Sequence, residues 1–322
     1  MNKKSDLFIM MGLYGNSTPE NVLNRAYVAS TLDLVDKGEK AENIGRIIVS
    51  TNSNSIMEGL SGDSRVEIEK TEKDFHFENE FEKILIKYKP ESLLYFSGGS
   101  GVLLDAGDID SFSNLLIERK GAIIANNFYS SDFVGLNPAD KILDIGIPNR
   151  DNMLGWKSRQ AGYSPFELKR NAKTQYDLDS PLDLIPLSIT AAAEGRLGEA
   201  IDCLSFEHNE IEQILPLLTD AQSSIKIAGR IGSTTWKYFE KCAACETNIV
   251  SEGRGLFASG KLDRSEQKFV TYGLLERMGY KNMLEYLLGD SDALFLDTRV
   301  LFAGKGIWPE KPDRFWSDLK KP

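Results

Sequence analysis

The sequence predicts an α/β fold: a three-layer, mostly parallel sheet with helices on both faces, followed by a smaller α/β domain. Three observations carry that prediction. Short, unbroken apolar runs recur through the first half of the chain, at Leu7–Met11, Ile47–Val49, Leu93–Phe96 and Ala122–Ala125, the pattern of strands buried on both faces. Segments with apolar residues at helical spacing separate them. Several of the strands stop at Gly-, Ser- or Asn-rich loops, which in an open α/β sheet lie along one edge and form a ligand crevice.

In order, Leu7–Met11 is the first strand, and the loop from Gly12 to Glu20 leads into a helix carrying Val22, Ala26, Ala29, Leu32 and Val35 on one face. Thr18 is placed to cap this helix, with Pro19 at its first position. Arg46–Thr51 is the second strand, and Arg65–Glu69 alternates as a third, more exposed one. Glu78–Tyr88 is amphipathic, with Phe81, Ile84 and Leu85 on its apolar side.

The central strand, Leu93–Phe96, runs into Ser97-Gly98-Gly99-Ser100-Gly101, where glycines permit positive φ and close approach of a ligand to the backbone. A helix beginning near Asp108 and Asp110 follows. Ala122–Ala125 is another buried strand, ending in Asn126-Asn127-Phe128-Tyr129-Ser130-Ser131-Asp132, and Asn152–Ala161 reads as a helix stopped by Gly162.

Tyr176-Asp177-Leu178-Asp179-Ser180-Pro181-Leu182-Asp183-Leu184 closes the first unit. Ser180, Pro181 and Asp183 have the spacing of a capping box, while Asp177 and Asp179 have the oxygen chemistry that suits magnesium. Residues 1–190 are taken as the first domain and 191–322 as the second. In the second, strands are expected at Ile225–Gly229, Thr247–Ser251 and Ala293–Leu296. Helices are expected over Ser233–Ala244, Ser265–Met278 and Asn282–Leu288. Arg230 and Arg254 stand at strand ends there, in position for a phosphate or for an ion pair within the domain.

The 322 residues suffice for two domains, and the net charge of −10 argues against a general nucleic-acid binder. The five apolar residues before Gly12 are too few for a signal-peptide core or a membrane span, so a cytoplasmic location is expected. Three cysteines give no disulfide framework; Cys242-Ala243-Ala244-Cys245 has redox spacing, but buried free thiols are the expectation. His76 and His208 lie in charged surroundings with no nucleophile constellation nearby.

The order of elements over residues 7–187 resembles the nucleotidyltransferase superfamily with a nucleotide-diphospho-sugar transferase-like fold. Its guanylyl- and cytidylyltransferases of molybdenum-cofactor and deazaflavin-cofactor (phospholactate) biosynthesis are the nearest in pattern. Met10-Met11-Gly12, Ala29–Asp33, Ile47–Thr51, Leu103-Leu104 and above all Tyr176–Leu184 carry the likeness, the last being similar to the family's Asp-Xaa-Asp-Thr-Pro-Xaa-Asp-Leu close. Two departures are visible. The Gly12–Glu20 loop has no basic residue, the first being Arg25, and Gly99–Leu104 lacks the acid that family members place there.

The resemblance implies a nucleoside triphosphate, or a sugar nucleotide, as ligand, magnesium as cofactor and a small phosphorylated or cofactor-precursor acceptor. The candidate site joins Gly12, Gly15, Arg25, Ser97, Gly98, Gly99, Ser100, Asn126 and Asn127 around the nucleotide. Asp132, Asp177 and Asp179 are the candidate metal ligands, with Asp132 and Asp177 catalytic; Asn126, Asn127 and Asp132 equally fit a self-capped polar turn. Three functions stay open: a nucleotidyltransferase, a nucleotide-binding or regulatory protein without catalysis, and a sugar-nucleotide-dependent glycosyltransferase. Neither nucleic acid nor a membrane is expected as a partner, and a homo-oligomer is left open.

Overall fold

A computed structural model describes residues 3–13, 15, 17–62, 65–72, 76–204, 209–254 and 268–306. His208, Gly255 and the start of the helix expected at Ser265 lie outside the described residues. The chain divides into two compact units, Met1–Ser205 and Phe206–Pro322.

The first unit contains β1 (Ser5–Met11), α1 (Thr18–Lys40), β2 (Ile44–Thr51), α2 (Asn54–Gly59), β3 (Val66–Lys70), α3 (Phe77–Tyr88), β4 (Leu93–Ser97), α4 (Ala106–Glu118), β5 (Ala122–Ala125), β6 (Phe133–Leu136), α5 (Leu154–Gln160), β7 (Ser164–Glu167), α6 (Ala172–Gln175), α7 (Leu184–Thr190) and α8 (Gly195–Asp202). Its seven strands form one sheet in the order β3-β2-β1-β4-β6-β5-β7. All neighbours are parallel except β6, which runs antiparallel to both β4 and β5.

Alternation along the strands sorts the core into two layers. Leu7, Ile9, Ile47, Val49, Leu94 and Phe96 pack with Leu34 and Val35 of α1 and Ile109 and Leu116 of α4. Phe8, Met10, Ile48, Leu93 and Tyr95 pack on the opposite face with Phe81, Ile84 and Leu85 of α3. The expected α/β class, with helices on both faces of a mostly parallel sheet, is what the chain adopts.

Two local readings differ from expectation. Ser17, not Thr18, caps α1: its Oγ accepts from the Glu20 N–H and the Glu20 carboxylate accepts from the Ser17 N–H, a complete capping box. Strands β6 and β7 are additions to the expected set. In the first unit α8 is fastened to α1: the Asp33 carboxylate accepts from the N–H groups of Arg196 at 3.0 Å and Leu197 at 2.8 Å.

Glu69, inside β3, ties that edge strand to α3. Its carboxylate accepts from Lys87 and the Tyr88 hydroxyl and pairs with Lys83 at 3.2 Å. Burial acts to raise its pKa, but the bonds from Lys87, Tyr88 and Lys83 outweigh burial and hold the carboxyl below its usual value. A carboxyl depressed by folding stabilises above its unfolded pKa and loses that contribution as pH falls through the folded one. Glu69→Gln should therefore flatten the acid limb of stability between about pH 5 and 3; denaturant titrations across that range check it, and parallel wild-type and variant curves would contradict it.

The second unit contains α9 (Asn209–Ile214), β8 (Ser224–Gly229), α10 (Ser233–Cys242), β9 (Glu246–Ser251), α11 (Val270–Leu288), β10 (Ala293–Leu296) and α12 (Arg299–Gly304), with its strands parallel in the order β10-β8-β9. Helix α11 breaks at Gly279, where φ is 77°, so the two expected helices meet at a kink. The three cysteines are free, and the expectation of buried thiols holds for Cys245 alone, since Cys203 and Cys242 are exposed. No helix among the described residues is long and apolar enough to cross a membrane.

Candidate functional site

The carboxyl ends of β1, β2 and β3 surround a cavity of about 670 Å³, lined by Leu13, Gly15, Asn21, Asn24, Asn52, Ser53, Asn54, Lys70, Thr71 and Glu72. Asn52, just past β2, holds the first loop in place. Its Oδ1 accepts from the Leu13 N–H at 2.8 Å, and its Nδ2 donates to the Leu13 carbonyl at 3.2 Å. Ser53 caps α2 through the Ile56 N–H. Thr71 extends β3 by donating its N–H to the Thr51 carbonyl at 2.9 Å. The residue lines the cavity, and its hydroxyl is buried with no partner among the described residues.

Glycine at position 15 permits φ of +67°, and a β-carbon there would fall 1.8 Å from Oε1 and 2.0 Å from Oε2 of Glu20. The Glu20 carboxylate thus lies against the Gly15 backbone at the amino end of α1. Gly12 is buried behind it, and Arg25 is exposed and does not line the cavity.

The second cluster is the turn after β4. Only Gly101 there has positive φ, +71°. Gly98 and Gly99 are needed for another reason: a β-carbon on Gly98 would meet Met11 at 2.5 Å, and one on Gly99 would meet the Leu178 carbonyl oxygen at 2.7 Å and Asp177 Oδ1 at 3.2 Å. The segment expected to hold a metal closes over this turn, with Ser100 bridged to Asp177 and the Leu178 N–H donating to the Gly99 carbonyl at 2.9 Å. Tyr27 of α1 adds its hydroxyl to the Leu178 carbonyl at 2.9 Å, and Ser30 donates to Gly98 O at 2.7 Å. Ser97 accepts from Ser100 and donates its N–H to the Asp132 carbonyl. The open surface expected above the turn is therefore occupied by the chain itself.

Asn126 and Asn127 are placed as a self-capped turn. Asn126 Nδ2 donates to Asp132 Oδ2 at 2.7 Å and to the Thr174 carbonyl at 3.0 Å, while its Oδ1 accepts from the Asp132 N–H at 3.1 Å. Asn127 Oδ1 accepts from the Tyr129 N–H and from Arg170. The nearby cations are likewise paired, Arg170 with Glu167 and Lys173 with both Asp105 and Asp108 at 2.7 Å.

The capping box at the close of the unit forms: Asp183 Oδ2 accepts from the N–H groups of Ser180 at 2.7 Å and Asp179 at 2.9 Å. Among the described residues, no three acidic, histidine or cysteine side chains converge as a metal site, so Asp132, Asp177 and Asp179 are not brought together as a three-carboxylate set. Asp132 and Asp177 stand near the β4 turn, and magnesium is usually held by one or two carboxylates together with waters and a substrate's phosphate oxygens. In the second unit, Arg299 forks onto Asp297 at 2.7 and 2.6 Å. Burial alone would raise the Asp297 carboxyl, but the bonds and charge of Arg299, with a smaller contribution from the Arg230 charge, hold it below the usual range. The Arg254 guanidinium packs against Gly232.

Sequence reasoning included Gly15 but missed the other residues lining the cavity. The available signal was the run Thr51-Asn52-Ser53-Asn54-Ser55 after β2, dense in side chains that bond backbone and ligands alike.

The strand order, with β6 as the one reversed strand, defines the class: a three-layer α/β protein built on a mostly parallel seven-stranded sheet. No known family profile and no curated protein matches the chain. Solved structures similar to it include a cytidylyltransferase from Leptospira borgpetersenii serovar Hardjo-bovis, at 12% identity, with 66% of this chain and 97% of that one covered and a TM-score of 0.45. A nucleotidyl transferase from Methanothermobacter thermautotroptrophicus is similar at 12% identity, covering 57% and 95%, with a TM-score of 0.42. A CMP:2-keto-3-deoxy-manno-octonic acid synthetase complexed with CTP is similar at 9% identity, covering 59% and 99%, with a TM-score of 0.41.

Proposed function

We propose that this protein is a nucleotidyltransferase-like binder of a nucleoside-bearing small molecule, whose base and sugar occupy the crevice over β1, β2 and β3. The observation that carries this reading is Thr71. A hydroxyl only 5% of whose residue is exposed, with no partner, costs free energy in the empty protein. Thr71 lines a cavity walled by asparagine and serine, and a turn of its side chain would offer that hydroxyl to a ligand's donor or acceptor. Each asparagine amide offers both a donor and an acceptor, the chemistry that base edges and ribose hydroxyls require. Asn52 positions the loop, and Lys70 and Glu72 contribute opposite charges at the rim.

Transfer of a nucleotidyl group is the second reading, favoured by Asp132 and Asp177 beside the β4 turn. There they would hold magnesium together with the ligand's own phosphates and neutralise charge during transfer. If that holds, Asp132→Asn and Asp177→Asn should each remove any magnesium-dependent part of nucleotide stabilisation.

The primary test is a thermal-shift panel of nucleosides, nucleoside triphosphates and sugar nucleotides, with and without magnesium, on wild type and Thr71→Val. Valine keeps the shape and removes the hydroxyl. The empty variant should be as stable as wild type or up to about 1 kcal/mol more stable, while affinity for the stabilising ligand falls about tenfold. Unchanged affinity in Thr71→Val, or a panel in which nothing stabilises the protein, would end the proposal.

A further inference from the structure

We propose that the outer edge of β10 is a docking site for an extended, basic segment of a partner protein, which joins the second unit's sheet as a further strand. An edge strand presents backbone N–H and C=O groups that invite another chain, and proteins guard such edges with charge or proline. Among the described strands, three of the four sheet edges are guarded. Strand β3 carries Glu67, Glu69 and Lys70, β7 carries Pro165 and Glu167, and β9 carries Glu246. The fourth, β10, is Ala293-Leu294-Phe295-Leu296, with neither charge nor proline, and β8 is its one described partner. Phe295 within it is 38% exposed.

A cleft of about 590 Å³ opens at the start of this strand. Its lining draws on the cores of both sheet faces, with Ile214, Leu217 and Ala293 from one and Leu284 and Leu294 from the other. Side chains projecting alternately from an added strand would therefore find apolar surface on either face. Charge selects the occupant. Glu285 and Asp292 line the cleft, and Asp290 stands two residues before Asp292. Two lysines accompany these three carboxylates, Lys281 at 3.9 Å from Glu285 and Lys226 beside Gly289. A second copy of this chain fits poorly. Antiparallel pairing of two β10 strands about a two-fold at their centre sets Asp292 opposite Asp297, and like charges facing across strands destabilise. A partner strand flanked by lysine or arginine meets the same acids favourably.

The experiment is fluorescence anisotropy of the full-length protein with three fluorescein-labelled synthetic peptides. The first is Lys-Val-Leu-Val-Leu-Lys, and the second has glutamate for both lysines. The third has proline at its two central positions, which removes ladder donors. The first should bind, and the second and third should bind at least about tenfold more weakly. Glu285→Lys, checked for folding by a circular dichroism melt, should weaken the first about threefold. No binding of the first peptide, equal binding of either control, or an affinity unmoved by Glu285→Lys overturns the proposal. Sedimentation showing a dimer that Phe295→Lys dissociates would assign the edge to a second copy and overturn it equally.

Discussion

Replacing Gly99 with valine should cost the first unit about 2–3 kcal/mol of stability, without any ligand present. The reason is the backbone that crosses above it. A β-carbon at position 99 falls 2.7 Å from the Leu178 carbonyl oxygen and 3.1 Å from the Tyr27 ring. Neither can retreat cheaply, since that carbonyl accepts from the Tyr27 hydroxyl and the Leu178 N–H donates to Gly99. Relief requires lifting residues 177–178 off the turn, which unpairs Ser100 from Asp177. Gly273→Ala is the contrasting control: no atom lies within 4 Å of its β-carbon, and alanine in a helix should add up to about 1 kcal/mol. Chemical denaturation measures both, and a Gly99→Val protein as stable as wild type would show that the 176–180 segment does not bear on the turn.

Asp33→Ala should cost about 3 kcal/mol. Asp33 is 8% exposed and acts as an N-cap supplied from another helix, each of its carboxylate oxygens taking one N–H at the start of α8. Loss of a cap costs about 1–2 kcal/mol, and the buried Leu197 N–H would add the penalty of an unsatisfied donor. Gly195, with φ of +64°, brings the chain close enough that a β-carbon would sit 2.7 Å from Asp33 Oδ1. Asp33→Asn should recover about half of the loss, because one amide oxygen still accepts. A loss below about 1 kcal/mol in the alanine variant would mean that packing alone holds α8.

Much of the sheet was legible because β1, β2, β4 and β5 are continuous apolar runs that local pattern alone identifies. Strand β6 was not. Its Gly135 reads locally as a breaker, yet a β-carbon there would strike Ile124 at 2.6 Å and Leu94 at 2.9 Å, so the glycine answers to neighbours distant in sequence. Strand β7 begins Ser164-Pro165 and lies at the sheet edge, mostly exposed, where proline is tolerated and the apolar signal is weak. The carboxylates near the β4 turn were visible as a motif, and the capping box of Ser180 and Asp183 followed from spacing. A crevice along this edge was expected from the polar loops, but its lining was not visible, because whether Thr71 finds a partner is decided by strands and loops that meet only in the folded chain.

Asn126 has a further consequence, for how this protein can change over generations. By clasping Asp132 across the loop and Thr174 beside it, one side chain closes a ring through bonds that bypass the side chains at its apex. Phe128 and Ser131 are anchored inward, which leaves Tyr129 and Ser130 as the exposed positions. Rewriting the chain at those two residues gives up the stacking of Tyr129 on Trp156 but keeps the Asn126 bonds that join the ends of β5 and β6. The rim of the sheet thus tolerates change at one place without disturbing the bonds that hold its frame.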